Sequence, residues 1–310
     1  MNAPGGESAV AFIRSGTKSM KKTTFIILII AVLVIAAQGC KKMEEQGNIV
    51  SVSIIPLQYF VQRIGGPGFK VNVLIPPGQS PHTYEPTSQQ MIEMSRSRAF
   101  FKTGLFPLED AFLRSMTSTG SGMMIIDSSE GVNLISAHHH DHTGYGHDSG
   151  IDPHIWLSPA AVRIMAKNIL AGFIAIDPAG STLYRNNFQA FMSDIDALDI
   201  YIKGELKQVK EKKFLVYHPV WSYFARDYGL TQIPMEIEGK EPDPTHIKDI
   251  VDMARREKIR VIFVQKQEPL DYARSLAGDI HGKVVHLDPL EGDWIANMRT
   301  TAKTFKTELE

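Results

Sequence analysis

Between Pro178 and Lys212 the apolar residues Leu183, Phe188, Phe191, Ile195, Leu198, Ile202, Leu206 and Val209 recur mostly three or four apart, with no proline among them. That spacing puts them on one face of a helix, so the segment predicts a single long amphipathic helix over 178–212. Roughly 33 residues at 1.5 Å each span about 50 Å, more than one small lobe. Such a helix either runs along two lobes as a stiff connector, which limits hinge motion, or lies inside one domain. A length of 310 residues favours two lobes.

Short β-rich runs alternate with helical segments on both sides of this helix. Ile49–Ile55, Val71–Ile75, Ala99–Phe101 and Met123–Ile126 read as strands and Pro159–Ile174 as a helix. The pattern restarts with strands at Phe214–Tyr217, Val261–Gln265 and Val284–Leu287, and helices near Trp221–Tyr228 and Thr245–Glu257. Alternation of this kind predicts parallel sheets flanked by helices, an α/β fold. The expected organisation is an amino-terminal lobe over 49–177, the linking helix 178–212 and a carboxy-terminal lobe over 213–310. A faint echo between 86–100 and 244–263, both opening on Pro-Thr, agrees with two related halves after a one-residue shift.

The amino terminus reads as a leader. Met20-Lys21-Lys22 precedes an apolar run from Phe25 to Ala37, followed by Gln38-Gly39-Cys40. At about 13 residues the run is short for a membrane span, which needs roughly 20, and it fits a cleaved signal peptide over 1–40 with Met20 as the start. Small residues leading to a cysteine resemble a lipobox, although Ala37 stands where that motif prefers leucine. Cys40 is the single cysteine, so it is expected to carry lipid, with 41–48 as a polar tether. The alternative is ordinary cleavage that leaves Cys40 as a free thiol. A net charge of -1 argues against a nucleic-acid partner.

Four side chains share one placement at strand ends. His82 follows the strand ending at Ile75, His154 sits in Asp152-Pro153-His154-Ile155-Trp156, His218 ends the strand at 214–217, and Asp288 follows 284–287. Open α/β sheets bind ligands beyond the carboxyl ends of their strands, so each lobe offers candidates to a shared cleft. Three neutral imidazoles and one carboxylate suit tetrahedral zinc, whereas manganese favours more oxygen. Affinity is then expected to fall as the pH drops through the histidine range near 6.5. Taken singly, each histidine reads more readily as a hydrogen-bonded structural residue than as a ligand, and the wide spacing of the candidates does not change that. A separate run over 137–148 gathers His138, His139, His140, His142 and His147, five of the 11 histidines, in a loop-like segment. It reads as an auxiliary metal-collecting loop or as a solvated linker.

Taken together, Pro81-His82-Thr83-Tyr84-Glu85-Pro86, the run from Asp152 to Pro159, His218-Pro219-Val220-Trp221-Ser222-Tyr223-Phe224, Glu238-Gly239-Lys240-Glu241-Pro242 and Leu287-Asp288-Pro289-Leu290 resemble the ZnuA-type zinc solute-binding proteins of bacterial ABC transporters. The likeness covers about residues 49–310. It implies His82, His154 and His218 as metal ligands, with Asp288 the fourth ligand or next to a bound water. Manganese-preferring relatives tend to have a carboxylate at position 218, so the resemblance favours zinc. Many relatives have glutamate where this chain has Gln265, a position taken to lie outside the ligand set. Tyr84 and Glu85 either orient the His82 loop or simply lead into the next helix.

The resemblance implies a monomeric extracytoplasmic protein, anchored in a bacterial membrane by lipid, that captures Zn²⁺ as cargo. It would pass the ion to a permease driven by an ATPase, and this chain carries no Gly-x-x-x-x-Gly-Lys-[Ser/Thr] loop of its own. The alternatives are a manganese or ferrous-iron protein of the same fold, an exported zinc hydrolase using Asp288 or Glu85 as base, and a surface adhesin.

Overall fold

A computed structural model describes residues 47–118, 122–136, 150–236, 244–266, 268 and 270–310. Cys40, the five histidines of 137–148 and the segment from Glu238 to Pro242 lie outside the described residues.

In chain order the first half contains β1 (Ile49–Val52), α1 (Ile55–Gly65), β2 (Lys70–Val73), α2 (Ser88–Ser95), β3 (Ala99–Lys102), α3 (Pro107–Ser118), β4 (Met124–Asp127) and α4 (Pro159–Ile176). The long helix α5 (Ser181–Leu206) follows. The second half contains β5 (Lys213–Val216), α6 (Ser222–Tyr228), β6 (Thr231–Pro234), α7 (Pro244–Glu257), β7 (Val261–Val264), α8 (Leu270–Asp279), β8 (Lys283–His286) and α9 (Trp294–Leu309).

The strands form two four-stranded parallel sheets, ordered β2-β1-β3-β4 and β6-β5-β7-β8. The order is the same in both halves. Central strands of a parallel sheet are covered on both faces and read as continuous apolar runs. Accordingly Val50, Val52, Ala99, Phe100, Phe101, Phe214, Leu215 and all of β7 are buried. Edge strand β6 pairs only with β5 and ends at Pro234, a residue that edges tolerate because its missing N–H removes no ladder bond.

Local chemistry fixes several helix ends. The Thr87 hydroxyl accepts from Gln90 N while the Gln90 side chain accepts from Thr87 N, a reciprocal cap that starts α2. Ser158 caps α4 through Ala161 N with Pro159 in its first turn, and Asp293 caps α9 through Ala296 N.

The linking helix is shorter than the span predicted for it. It covers 26 residues, about 39 Å at 1.5 Å per residue, with a separate 3-10 turn over Pro178–Gly180 before it. Its buried face, Tyr184, Phe188, Phe191, Ile195, Leu198, Ile202 and Leu206, is the predicted stripe with Tyr184 in place of the half-exposed Leu183. Rather than bridging open space, α5 packs on α1 and α4 from the first half and on α9 from the second. The Phe191 ring lies 5.7 Å from Phe60 and 6.4 Å from Trp294, so one aromatic side chain touches both halves. One continuous core therefore runs through the molecule, and a smaller one lies on the far side of the second sheet around Leu215, Ile250, Ile262 and Leu276.

Buried hydrogen bonds tie the halves together. Trp156 Nε1 donates to Pro289 O at 2.7 Å, and Trp294 Nε1 donates to Trp156 O at 2.7 Å. The Tyr223 hydroxyl donates to Asp152 O at 2.7 Å and accepts from Ile135 N at 3.0 Å.

Candidate metal centre

His82 sits in the irregular segment between β2 and α2, where Gly78 adopts φ 81° and Tyr84 N reaches back to Ser80 O at 3.1 Å. The Tyr84 hydroxyl donates to Gln90 Oε1 at 2.6 Å, and Gln90 Nε2 donates to Leu74 O at 3.3 Å. Tyr84 thus steadies the His82 segment through the cap of α2 and not through an imidazole. Helix α2 begins at Ser88, so Glu85-Pro86 leads toward it without capping it.

His154 precedes the 3-10 turn Ile155–Leu157 and is buried. Asp152 Oδ1 accepts from His154 N at 2.9 Å and from its Nδ1 at 2.7 Å. His218 follows β5, and its Nδ1 donates to Glu236 Oε1. Each carboxylate takes up an Nδ1–H and so leaves the Nε2 lone pair free, as a metal-ligating imidazole requires.

The three Nε2 atoms converge. His82 Nε2 lies 3.4 Å from that of His154 and 3.2 Å from that of His218, and the three ligand atoms lie within 4.8 Å of one another. A tetrahedral ion with Zn–N bonds of 2.0–2.1 Å needs nitrogens about 3.3–3.4 Å apart, so the first two separations already match a shared zinc. The cluster offers one exposed, one half-buried and one buried imidazole, in the order His82, His218, His154. These are the three histidines singled out in the sequence.

The electrostatics favour uncharged imidazole. Although His82 is exposed as a residue, its ring packs against Phe106, His154 and His218, and desolvation there, followed by the two neighbouring imidazoles, pushes its pKa down to about 3 against the opposing pull of Asp152. Desolvation also lowers that of His154, with Asp152 opposing. Burial works to raise the Asp152 pKa, but the facing His154 and hydrogen bonds from His154 and Ser222 outweigh it and leave the carboxyl below its ordinary range. Glu268 lies near the site, its pKa raised by burial and by Glu236, with His218 opposing.

Asp288 is not part of the imidazole cluster. Its Oδ1 accepts from Leu290 N at 2.9 Å, and its Oδ2 pairs with Lys266 Nζ at 3.0 Å.

Several residues that shape the site carry no sequence signal of their own. Phe106 packs edge-on to His82 at 5.8 Å and contacts Trp156 at 5.9 Å, forming an apolar wall. The turn presenting Phe106 is held by fully buried Glu109. Its Oε1 accepts from Thr103 N and Oγ1, both at 2.7 Å. Its Oε2 accepts from the N–H groups of Gly104, Leu105 and Phe106 at 2.8, 3.1 and 3.3 Å. Gly104 has φ 86°, and a Cβ there would lie 2.4 Å from Asp127 Oδ1, so the turn requires glycine. Asp152 stands two residues from His154 and Glu236 eighteen from His218, and neither carried a sequence reading as an imidazole partner.

The flanks of the histidine-rich segment meet beside His154. Ser136 and Ile151 form an antiparallel bridge, and Asp152 N donates to Ile135 O at 2.9 Å.

The family model described as zinc-uptake complex component A, periplasmic, matches residues 50–308. The zinc-binding lipoprotein AdcA of Streptococcus pneumoniae is 25% identical over 285 residues, 88% of this chain but 56% of that protein. The chain therefore spans little more than half the length of this relative. The high-affinity zinc uptake system protein ZnuA of Bacillus subtilis is 25% identical over 282 residues, covering 86% of this chain and 88% of that one. A crystal structure of ZnuA superposes with a TM-score of 0.78 at 34% identity, covering 84% of this chain and 99% of that chain.

Proposed function

Because the chain belongs to the family of periplasmic zinc-uptake component A proteins, we propose that it captures one Zn²⁺ outside the cytoplasm and delivers it to a membrane permease driven by an ATPase. His82, His154 and His218 are the ligands in this reading. The observation that carries it is the convergence of three imidazoles from both halves, with His82 Nε2 at 3.4 and 3.2 Å from the Nε2 atoms of His154 and His218, separations that suit tetrahedral zinc. Among the described residues the cluster consists of nitrogen donors with no carboxylate, which also favours zinc over manganese. The role in this reading is binding: the carboxylates of Asp152 and Glu236 are engaged with the Nδ1 atoms of His154 and His218 and serve to orient the imidazoles toward the ion.

In the same reading Cys40 carries a lipid that holds the protein to a bacterial membrane as a monomer, and His138, His139, His140, His142 and His147 collect metal weakly without forming the main site. Metal analysis with competitive titration tests this on the parent, on His218→Ala and on a variant lacking 138–147. The expected result is one tightly held zinc, lost in His218→Ala and kept in the deletion. Loss of tight zinc in the deletion would move the site to the loop, and preference for manganese would overturn the choice of cargo.

A further inference from the structure

Edge strand β6 backs more of the imidazole cluster than its short, half-polar sequence suggests. Glu236, two residues past its end, takes up the Nδ1–H of His218. Gln232, within the strand, reaches the turn that follows His218. Its Oε1 accepts from Trp221 N at 2.7 Å, and its Nε2 donates to Ser222 Oγ at 2.9 Å. Only one orientation of the amide allows this, because a backbone N–H can meet the amide oxygen but not the NH₂ group. The Ser222 hydroxyl therefore accepts from Gln232 and has its own proton left to donate.

That proton goes to the other half of the molecule. Ser222 is hydrogen-bonded to the carboxylate of Asp152, a group that can only accept, and Asp152 Oδ1 in turn holds His154 N and Nδ1. The next residue, Tyr223, donates to the Asp152 carbonyl at 2.7 Å. Two consecutive side chains at the start of α6 thus grip the one residue that orients His154.

We propose that Gln232 and Ser222 are positioning residues for the captured ion: Gln232 sets the Ser222 hydroxyl as a donor to Asp152, and this fixes the carboxylate that presents His154 Nε2 to the metal. The inference rests on the metal-capture reading above. Direct partners of ligating imidazoles carry roughly 10–100-fold in affinity, and these two stand further from the ion, so about three- to tenfold is expected of each. Such a chain differs from a merely structural contact in two ways: it acts through Asp152, and its direction can be reversed. Gln232→Glu keeps an oxygen for Trp221 N but replaces the Nε2 donor with an acceptor, which draws the Ser222 proton away from Asp152. The added negative charge by itself favours a cation, so a loss of affinity has to come from the hydroxyl.

The test is competition for zinc against a chromophoric chelator at pH 7.5 on the full chain, with thermal melts to verify folding. Ser222→Ala should weaken zinc about three- to tenfold, whereas Ser222→Thr, which keeps the hydroxyl, should stay within about twofold of the parent. In an Asp152→Ala background Ser222→Ala should cost nothing further, and Gln232→Glu should cost at least about threefold more in the parent than in Ser222→Ala. Equal losses from Ser222→Ala with and without the Asp152 carboxylate would make Ser222 a structural contact and overturn the proposal. A Gln232→Glu effect that is the same with and without the Ser222 hydroxyl would overturn it as well. The capture reading fails separately, by zinc binding that persists unchanged in His154→Ala.

Discussion

If the carboxylates behind His154 and His218 fix the ligating tautomer, removing their charge should weaken the ion without touching a ligand. The perturbations are Asp152→Asn and Glu236→Gln, one in each half. Partners of this kind typically carry 10–100-fold in metal affinity, or about 1.4–2.7 kcal/mol. The structure places the two variants within that range. In Asp152→Asn the amide oxygen can still accept from His154 N, now 2.9 Å from Asp152 Oδ1, so this variant should lose about tenfold. Asp152→Ala forfeits the 2.7 Å bond to Nδ1 and the backbone bond together and should fall toward 100-fold. Glu236→Gln should resemble Asp152→Asn. Because the two act on different imidazoles, the double variant should lose roughly the product, about 100-fold. Competition for zinc against a chromophoric chelator at pH 7.5, with thermal melts to verify folding, measures each value. Changes of twofold or less in both single variants, alongside abolished binding in His218→Ala, would refute the role given to the Nδ1 partners.

Two further outcomes follow from the same geometry. Glu109→Ala strands four backbone N–H groups and the Thr103 hydroxyl in a buried turn, so denaturant unfolding should register a loss of about 3–5 kcal/mol, and a loss below about 1 kcal/mol would contradict the assigned contacts. For pH, a lowered pKa keeps an imidazole neutral further into acid. His82 stays neutral down to about 3, and burial moves His154 downward from its ordinary value, so both resist protonation further into acid than free histidine does. The fall in affinity expected near 6.5 from free histidine is therefore displaced downward at these two ligands. Chelator competition between pH 7.5 and 5.5 should show a slope no steeper than tenfold per unit; a hundredfold slope would mean that they titrate at ordinary values.

The sequence disclosed most where one property repeats along the chain. The stripe from Phe188 to Leu206 and the apolar runs of β1, β3, β5 and β7 carry their periodicity openly, and the α/β class followed from them. Strand β6 was missed because Thr-Gln-Ile-Pro is short, half polar and ends in proline, which only an edge position accommodates. The helix ends were misplaced because a continuing apolar period does not reveal that Asp177 and the turn at Pro178–Gly180 have already broken the backbone pattern. At the site, His82, His154 and His218 were legible from their place after strands, but their spacing could not say that three nitrogens meet. Nor could it reveal Glu236 or Glu109, whose roles depend on which loops fold against each other. Asp288 looked like the three histidines in its place after a strand, and the sequence could not show that its oxygens meet Leu290 N and Lys266 Nζ.

The bracing of the two halves by α5 and by the paired indoles has a consequence for how occupancy is communicated. Opening the cleft would break buried hydrogen bonds at Trp156 and Trp294 and separate Phe191 from its partners on one side. The imidazoles already stand at binding distance, and His82 and His154 have no proton to release at neutral pH. Loading therefore adds nearly the full double charge of the ion at the cleft mouth while the outline of the molecule stays almost fixed. A partner that distinguishes the full protein from the empty one has a voltage to read more than a shape.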